Sequence, residues 1–551
     1  MTEPTAPSLS VANRGPTAPE PRSRPVTIPA STATAARSIP LLRLIVFIGG
    51  FSSIGVELTA SRLIAPYFGS STFIWATIIG LTLTFLAIGY TLGGRIADRR
   101  PSPRLLYSIT AVAAIVIGLI PSAAQPILGA SLAAFASYDI GAFYGSLIGV
   151  LLLLAIPVTM LGFVSPFAIR LRLASVTSAG ITAGNTYTLS TVGSILGSFV
   201  PVLVLIPLLG TNRTFTTISL ALLIPSVIGL LLLRAVVPAL VLAALFALVP
   251  LVTAVSATET IRPAERGQIL DERESSYNYI QVVEDDGSVY LVLNEGHAIH
   301  SIYDPDELLT GGPWDYFMVA PLFVDSATPD SVENALLIGL AGGTVARQLT
   351  AAYGPIPIDG VEIDPEIAEV GTRFFGLDEL ANVNVIVADG RYALKTSDQR
   401  YDLIGIDAYR QPYIPFQLTS REFFQEVGDH LTGDGVAVVN AGRTATDFRL
   451  VDVIAATMRD VFAHVYIIDV DRYTNSIVVG TNAPAAIASF EQNLAAHEVD
   501  SPIGIVGQLS VDTGNIREIE PGGQVFTDDH APVELVVDQI IVDVALDGVS
   551  P

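Results

Sequence analysis

From about Pro40 to Val255 the chain is almost continuously apolar, interrupted by short turns rich in Pro, Gly and Arg. Runs near 40–61, 72–95, 105–128, 141–165, 186–208, 214–233 and 235–256 each approach the ~20 residues a helix needs to cross a bilayer. They predict about seven membrane helices across residues 39–256. The stretch 120–137 could conceal an eighth. Residues 1–38 are rich in Pro, Ala, Ser and Thr with no apolar run, which predicts a disordered tail rather than a cleaved signal peptide.

After Ile261 the periodicity changes. "YNYIQVVEDDGSVYLVLN" (277–294) alternates apolar and polar positions about an Asp-Gly pair, which predicts a β-hairpin inside a region 257–334. From Ala335 to about residue 545, short apolar runs take turns with amphipathic ones. Strands are predicted at 335–340, 358–364, 383–389, 401–408, 435–441, 464–470 and 476–482. Helices are predicted to begin near Gly343, Pro365, Thr419 and Thr446. This is the order of a doubly wound α/β sheet whose last two strands lie close enough to pair antiparallel.

Composition narrows the chemistry. The mean hydropathy of +0.55 averages an apolar first half with an ordinary second half, and most of the net charge of −24 lies in the second. So acidic a surface excludes a nucleic-acid partner. Lys395 is the only lysine, so arginine supplies nearly all the positive charge. With no cysteine, disulfides, thiolate catalysis and cysteine-held metals are excluded. His297 and His300 in "EGHAIHS" complete no metal-ligand spacing, and "TDDH" (527–530) reads as a turn before a last strand.

In a doubly wound sheet, ligands bind beyond the carboxyl ends of the strands. Here four successive strand ends carry polar or glycine residues. Gly339 and Gly343 bracket the turn in "IGLAGGT", Glu362 closes the second strand, Asp389 the third in "VIVADG", and Asp407 the fourth in "YDLIGIDAY". Glycines let a ligand approach the backbone, and an acid about 20 residues on commonly binds ribose hydroxyls. Helix capping explains Asp364 but not the whole set. In the apolar half, Glu57 in "GVELTASRLIAPYFG" is an intramembrane carboxylate, a functional candidate that could instead pair with Arg62 or Arg95.

Residues 270–540 resemble the spermidine synthase family of aminopropyltransferases, which is built on the S-adenosylmethionine-dependent methyltransferase fold. The resemblance runs through "ESSYNYI", "IGLAGGT", "GVEIDPEI", "VIVADGR", "YDLIGIDAY" and "LTSREFFQEVGDHLTGDGVAVVN". With "NTYTLSTVGSILGSFVPVLVLIPLLG" and "TDDHAPVE", the whole chain is similar to membrane-fused spermidine synthase-like proteins. The resemblance implies that Gly339, Gly343, Glu362, Asp389 and Gly390 hold the nucleoside of decarboxylated S-adenosylmethionine or S-adenosylmethionine, with no metal. It implies that Asp407 takes a proton from the attacking amine, putrescine for example, and that Tyr277, Asp315 and Tyr409 contact that amine. A homodimer is a further implication. Four positions depart from the family: Gly342 replaces the turn aspartate that holds the donor amine, Arg410 replaces a second loop acid, Trp314-Asp315-Tyr316 replace Tyr-His-Glu, and Asn278 replaces a glutamine.

Three readings follow. The first is membrane-bound aminopropyl transfer. The second keeps the fold but uses another S-adenosyl donor or another acceptor, such as a lipid. The third is a transporter or sensor, for which Glu57 and "GYTLGGRIADRR" (89–100), similar to a loop of major-facilitator transporters, are the support. Arginines favour the cytoplasm. Those at 22, 24, 37, 43, 95, 99, 100, 104, 170, 172 and 234 put the N-terminal tail inside a cell membrane, so that seven spans would leave residues 257–551 outside.

Overall fold

The computed structural model describes residues 32–68, 72–135, 141–173, 178–256, 261–294, 298–410 and 413–547. The first of these already form helix, so the tail expected to reach residue 38 ends earlier. His297 lies outside the described residues.

The apolar half is a bundle of α1 (Thr32–Phe68), α2 (Thr72–Arg99), α3 (Pro103–Phe135), α4 (Gly141–Gly162), α5 (Val164–Arg172), α6 (Ala179–Val200), α7 (Ile206–Leu209), α8 (Thr211–Leu232) and α9 (Val236–Ser256), with a π-helical turn Pro201–Leu205 joining α6 to α7. Six stretches are long and apolar enough to cross a membrane: Pro40–Phe68, Ile74–Arg99, Pro103–Ser131, Tyr144–Arg172, Ala179–Leu209 and Thr211–Leu232. A shorter apolar segment, Val236–Val249, lies within α9. The stretch 120–135 is the continuation of α3 through Pro121 and Pro126, not an eighth span.

Close helix contact rests on small residues. On α6, a Cβ at Gly193 or Gly197 would fall 2.0 and 2.3 Å from the carbonyl oxygens of Phe47 and Phe51 on α1. The stretch "GYTLGGRIADRR" is not a loop. It forms the last turns of α2, where Gly89 lies against Thr159 of α4 and Asp98 pairs with Arg170 at 3.1 Å. Glu57 is buried in α1, and among the described residues neither Arg62 nor Arg95 pairs with it. Arg62 turns instead toward the second half of the chain.

That second half sits on one end of the bundle. Arg262 Nη1 donates to Pro66 O (2.9 Å), Thr211 Oγ1 to Glu274 Oε2 (2.7 Å) and Tyr67 OH to Ile261 O (3.5 Å). Arg62 donates to Ser275 O (3.0 Å) and Ser276 O. At the opposite end Arg104 donates to Leu233 O (2.8 Å). Helix α9 starts beside Leu233 and delivers the chain to Ile261 at Tyr67, so it runs the height of the bundle. Its 21 residues span about 31 Å.

Four antiparallel strands open this half: β1 (Gln268–Glu274), β2 (Tyr279–Asp285), β3 (Ser288–Leu293) and β4 (Ile299–Tyr303). The expected Asp-Gly hairpin is present, with Asp286 and Gly287 at φ 50° and 89°, the pair of positive values a tight two-residue turn needs. A buried 3₁₀ segment, Pro313–Phe323, leads into the main sheet.

That sheet alternates β5 (Ala335–Ile338), α10 (Thr344–Tyr353), β6 (Ile358–Glu362), α11 (Pro365–Phe374), β7 (Val383–Val387), α12 (Gly390–Thr396), β8 (Tyr401–Ile406), α13 (Arg421–Asp429), β9 (Leu431–Gly442), α14 (Arg449–Arg459), β10 (His464–Asp469) and β11 (Asn475–Thr481). The chain closes with α15 (Ile487–Leu494), α16 (Pro502–Asp512), β12 (Ile516–Glu518) and α17 (Val533–Asp547). Strand order is β12-β10-β11-β9-β8-β5-β6-β7, with β9-β8-β5-β6-β7 parallel and the other pairings antiparallel. The apolar runs fit because both sheet faces are covered: Leu403, Ile404, Val436 and Val438 are fully buried. Strand order runs outward in opposite directions from β5 and from β8, which makes the gap between them the topological switch point of the sheet. "TDDH" precedes a helix, α17, rather than a strand. Its Asp528 takes two hydrogen bonds from Arg391 (2.7 and 2.8 Å) and one from Ser420 Oγ (2.5 Å), so this motif fastens the C-terminal segment to α12 and α13.

Candidate active site

Register places the ends of β5 and β8 at one level, with Ile338 opposite Ile406. The next residues, Gly339 and Asp407, therefore touch. Gly339 has φ 91°, and a Cβ there would fall 2.3 Å from Asp407 O. No other residue type fits that position without moving the Asp407 backbone. Ala341 is held at φ 49°, a left-handed conformation costing an alanine ~1–2 kcal/mol. Its N–H donates to Glu362 Oε2 (3.0 Å), which ties the turn to the end of β6.

Glu362 is only 6% exposed, and its Oε1 accepts from Asp364 N (3.0 Å). Burial pushes its carboxyl up to about 7, against the pull of these backbone donors. Asp364 caps α11 through Glu366 N (3.1 Å), and its second oxygen accepts from Ser275 Oγ (2.5 Å) and Asn278 Nδ2 (2.9 Å). This explains the "ESSYNYI" stretch: it latches the loop that follows Glu362. Tyr277 lies in that latch, 48% exposed. Asp389 caps α12 by accepting from Tyr392 N (3.0 Å), so capping accounts for one of its oxygens as well. A Cβ at Gly390 would lie 2.3 Å from Ile338 Cγ2, which brings this cap against the end of β5.

Asp407 is half-buried. Asn440 Nδ2 donates to its Oδ1 (2.9 Å). Desolvation raises its carboxyl to about 6, against the pull of Asn440 and the Trp314 indole N–H. Asn440 is fixed in turn by Asn475 Nδ2 (2.9 Å), and its carbonyl accepts from Tyr409 OH (3.0 Å). Burial raises the Tyr409 phenol too. Gly339, Gly343, Glu362, Asp389, Gly390, Asp407 and Tyr409 thus gather at one end of the sheet.

Asp315 does not join them as a free acid. It is 2% exposed, and its carboxylate accepts from Thr310 N (3.0 Å), Thr310 Oγ1 (2.7 Å), Gly311 N (2.8 Å) and Gln348 Nε2 (2.5 Å). It organises the loop before the 3₁₀ segment, and burial raises its carboxyl. Three of these donors share Oδ1 and one takes Oδ2, and the burial keeps the carboxylate inside its own loop.

Residues not singled out from the sequence also belong here. Asn440 lies near the end of the buried run of β9, the strand beside β8, and a polar residue at that level was its only signal. Ile363, 40% exposed directly after Glu362, offers an apolar surface at the cleft. Among the described residues, no group of three or more His, Asp or Glu could hold a metal ion.

The spermine/spermidine synthase domain family matches residues 319–486. The polyamine aminopropyltransferase of Vibrio vulnificus (strain CMCP6) is 32% identical over 215 residues, which take in 37% of this chain and 70% of that protein. The chain belongs to the polyamine aminopropyltransferase family. A probable polyamine aminopropyl transferase of Bifidobacterium longum (strain NCC 2705) is 32% identical over 299 residues, 50% of this chain; the chain spans 64% of that relative's length. Among solved structures, a probable spermidine synthase from Corynebacterium glutamicum ATCC 13032 superposes with a TM-score of 0.39 at 20% identity, covering 47% of this chain and 97% of that one.

Proposed function

We propose that this chain is a membrane-anchored aminopropyltransferase that takes its aminopropyl group from decarboxylated S-adenosylmethionine and delivers it to an amine. The observation that carries the reading is the contact of Asp407 with the Gly339 turn, flanked by Glu362 and Asp389 on neighbouring strand ends. Glu362 and Asp389 hold the ribose and adenine, and Ile363 packs on the base. The amine lone pair attacks the methylene carbon next to the sulfonium. The carbon–sulfur bond breaks with its electrons on sulfur, and methylthioadenosine leaves. An amine is protonated at neutral pH and must lose a proton to react. Asp407, ionised above about 6 and steadied by Asn440 and Trp314, accepts it.

The test is methylthioadenosine release by the purified full-length protein given this donor and putrescine. Release well above that of Asp407→Ala is expected; equal traces from both proteins reject the reading.

A second reading is favoured by Gly342. A Cβ there would meet Phe375 and Ser301 at 2.9 Å, so the space that an amine-holding acid would need is filled. S-adenosylmethionine carries a carboxylate beside its amine, which an acid at this position would repel and Gly342 does not, so its charge suits the missing acid. Calorimetry with both donors discriminates: tighter binding of the carboxylated one supports the second reading.

The six apolar stretches and α9 are read as membrane spans. The bundle carries its arginines at 99, 100, 104, 170, 172 and 234 at the end away from the α/β domain, which supports a cytoplasmic tail and an outward-facing domain. Protease added to spheroplasts is expected to digest residues beyond 257; protection until lysis reverses the orientation.

A further inference from the structure

We infer that Arg62, on α1 of the helical bundle, is a positioning residue for the nucleoside half of the site, acting on Glu362 through Ser275 and Asp364. This deepens the aminopropyl-transfer reading and rests on it.

The bundle holds the α/β half at two places. Arg262 and Tyr67 fix the entry of the chain, through Pro66 O (2.9 Å) and Ile261 O (3.5 Å). Arg62 and Thr211 instead hold the stretch 274–276. Arg62 Nη1 donates to Ser275 O (3.0 Å) and its Nη2 to Ser276 O, while Thr211 Oγ1 donates to Glu274 Oε2 (2.7 Å). A guanidinium presents its donors as a rigid fork, so an arginine on two successive carbonyls fixes the path of the chain there.

From this stretch an unbroken line of hydrogen bonds runs to Glu362. Ser275 Oγ accepts from Tyr277 N (3.0 Å) and Asn278 N (2.8 Å), which folds the loop, and donates to Asp364 Oδ2 (2.5 Å). Asn278 Nδ2 donates to the same oxygen (2.9 Å). Asp364 N in turn donates to Glu362 Oε1 (3.0 Å), and Ala341 N holds the other carboxylate oxygen (3.0 Å). Glu362 is thus suspended between two main-chain donors, one of them in the loop that Ser275 fastens. Ser275, Asp364 and Glu362 are all buried, where a lost partner costs more than at the surface.

A plain anchor would need only to keep the two halves together. This one ends on the carboxylate that meets the ribose in the proposed reading. A carboxylate free to turn binds two hydroxyls less well than one already aimed at them, because ordering it on binding costs free energy. Releasing Arg62 therefore weakens the hold on the nucleoside. Asp407 stays in place, since Asn440 holds it separately (2.9 Å).

The experiment uses full-length protein in nanodiscs, with calorimetry against methylthioadenosine and steady-state kinetics with decarboxylated S-adenosylmethionine and putrescine. Arg62→Gln is expected to weaken methylthioadenosine binding and raise the donor KM about tenfold, with kcat and acceptor KM within about threefold. Arg62→Lys, which keeps the charge and loses the fork, should fall between. Ser275→Ala leaves the carbonyls that Arg62 grips and removes the hydroxyl on Asp364, so it should cost a similar factor. The double variant should be no worse than the worse single one, because both cut the same line. Unchanged affinity, losses that multiply in the double variant, or a fall confined to kcat or to stability overturns the inference and leaves aminopropyl transfer standing. Where Arg62→Gln does not fold, Ser275→Ala decides alone on the same split between KM and kcat. An unaltered protein that neither binds methylthioadenosine nor releases it from the donor removes both.

Discussion

The two sides of the cleft are built differently. The side proposed for the donor is made of strand ends: Gly339, Asp389 and Asp407 lie just beyond β5, β7 and β8, Glu362 closes β6, and the Ala341 N–H ties the first turn to Glu362. The side proposed for the acceptor is made of loops and packing: Phe375 and Ser301 fill the space at Gly342, and Asp315 is bound up in its own loop. Strand ends hold fixed the positions proposed for the nucleoside, and loops are free to change what the proposed acceptor meets.

The sharpest way to separate the two sides is Asp407→Asn. It removes the proton acceptor and keeps the shape, so kcat should fall ~10²–10⁴-fold while calorimetric affinity for methylthioadenosine stays within a few-fold. A parallel collapse of affinity would show that Asp407 belongs to the donor side instead. Glu362→Ala attacks the other half. Losing hydrogen bonds to a charged group costs ~1.5–3 kcal/mol, so nucleoside affinity should drop roughly 10- to 100-fold, with little change in acceptor KM.

Gly342→Asp asks whether the acceptor side can be returned to the family pattern. Phe375 and Ser301 must move, so the variant should lose ~1–3 kcal/mol in a denaturant titration of the solubilised protein. A stable variant with higher putrescine turnover would refute the crowding argument. The mildest perturbation is pH. Burial holds the Asp407 carboxyl near 6, above its ordinary value, and the base works only when ionised. Activity should be full well above that value, halve at about 6 and fall about tenfold for each further unit of acid. A rate flat from pH 5 to 8 would exclude Asp407 as the base.

Strand ends were legible from sequence for the same reason that they are rigid. Buried parallel strands read as unbroken apolar runs, so β5, β6, β7 and β8 begin where predicted and end within about two residues of expectation. β1, "QILDERE", is too charged to read as a strand, yet it pairs with β2 through a bulge at Ile269/Asp271. β12 has three residues and exists only because β10 offers it an edge. The acids at the strand ends could be named because the fold rule says where to look. Asp315 was read as contacting the amine because it stands at the place of the family's Tyr-His-Glu, which Trp314-Asp315-Tyr316 replace; its hydrogen bonds come from a loop whose path no local pattern records. Asn440 was missed for the converse reason, since its partner Asp407 lies 33 positions away in the chain.

Arg62 links the helical bundle to the α/β half. From Pro40 to Phe68, α1 runs 29 residues, about 43 Å, which exceeds the ~30 Å hydrocarbon thickness of an average bilayer. A helix longer than its bilayer tilts, and the tilt changes with lipid thickness. Arg62 grips Ser275 and Ser276, and Ser275 grips Asp364, two residues past Glu362. If α1 is a membrane span as proposed, its lean is thereby coupled to the strand end at Glu362, and the acyl-chain length of the surrounding lipid is expected to tune the proposed activity.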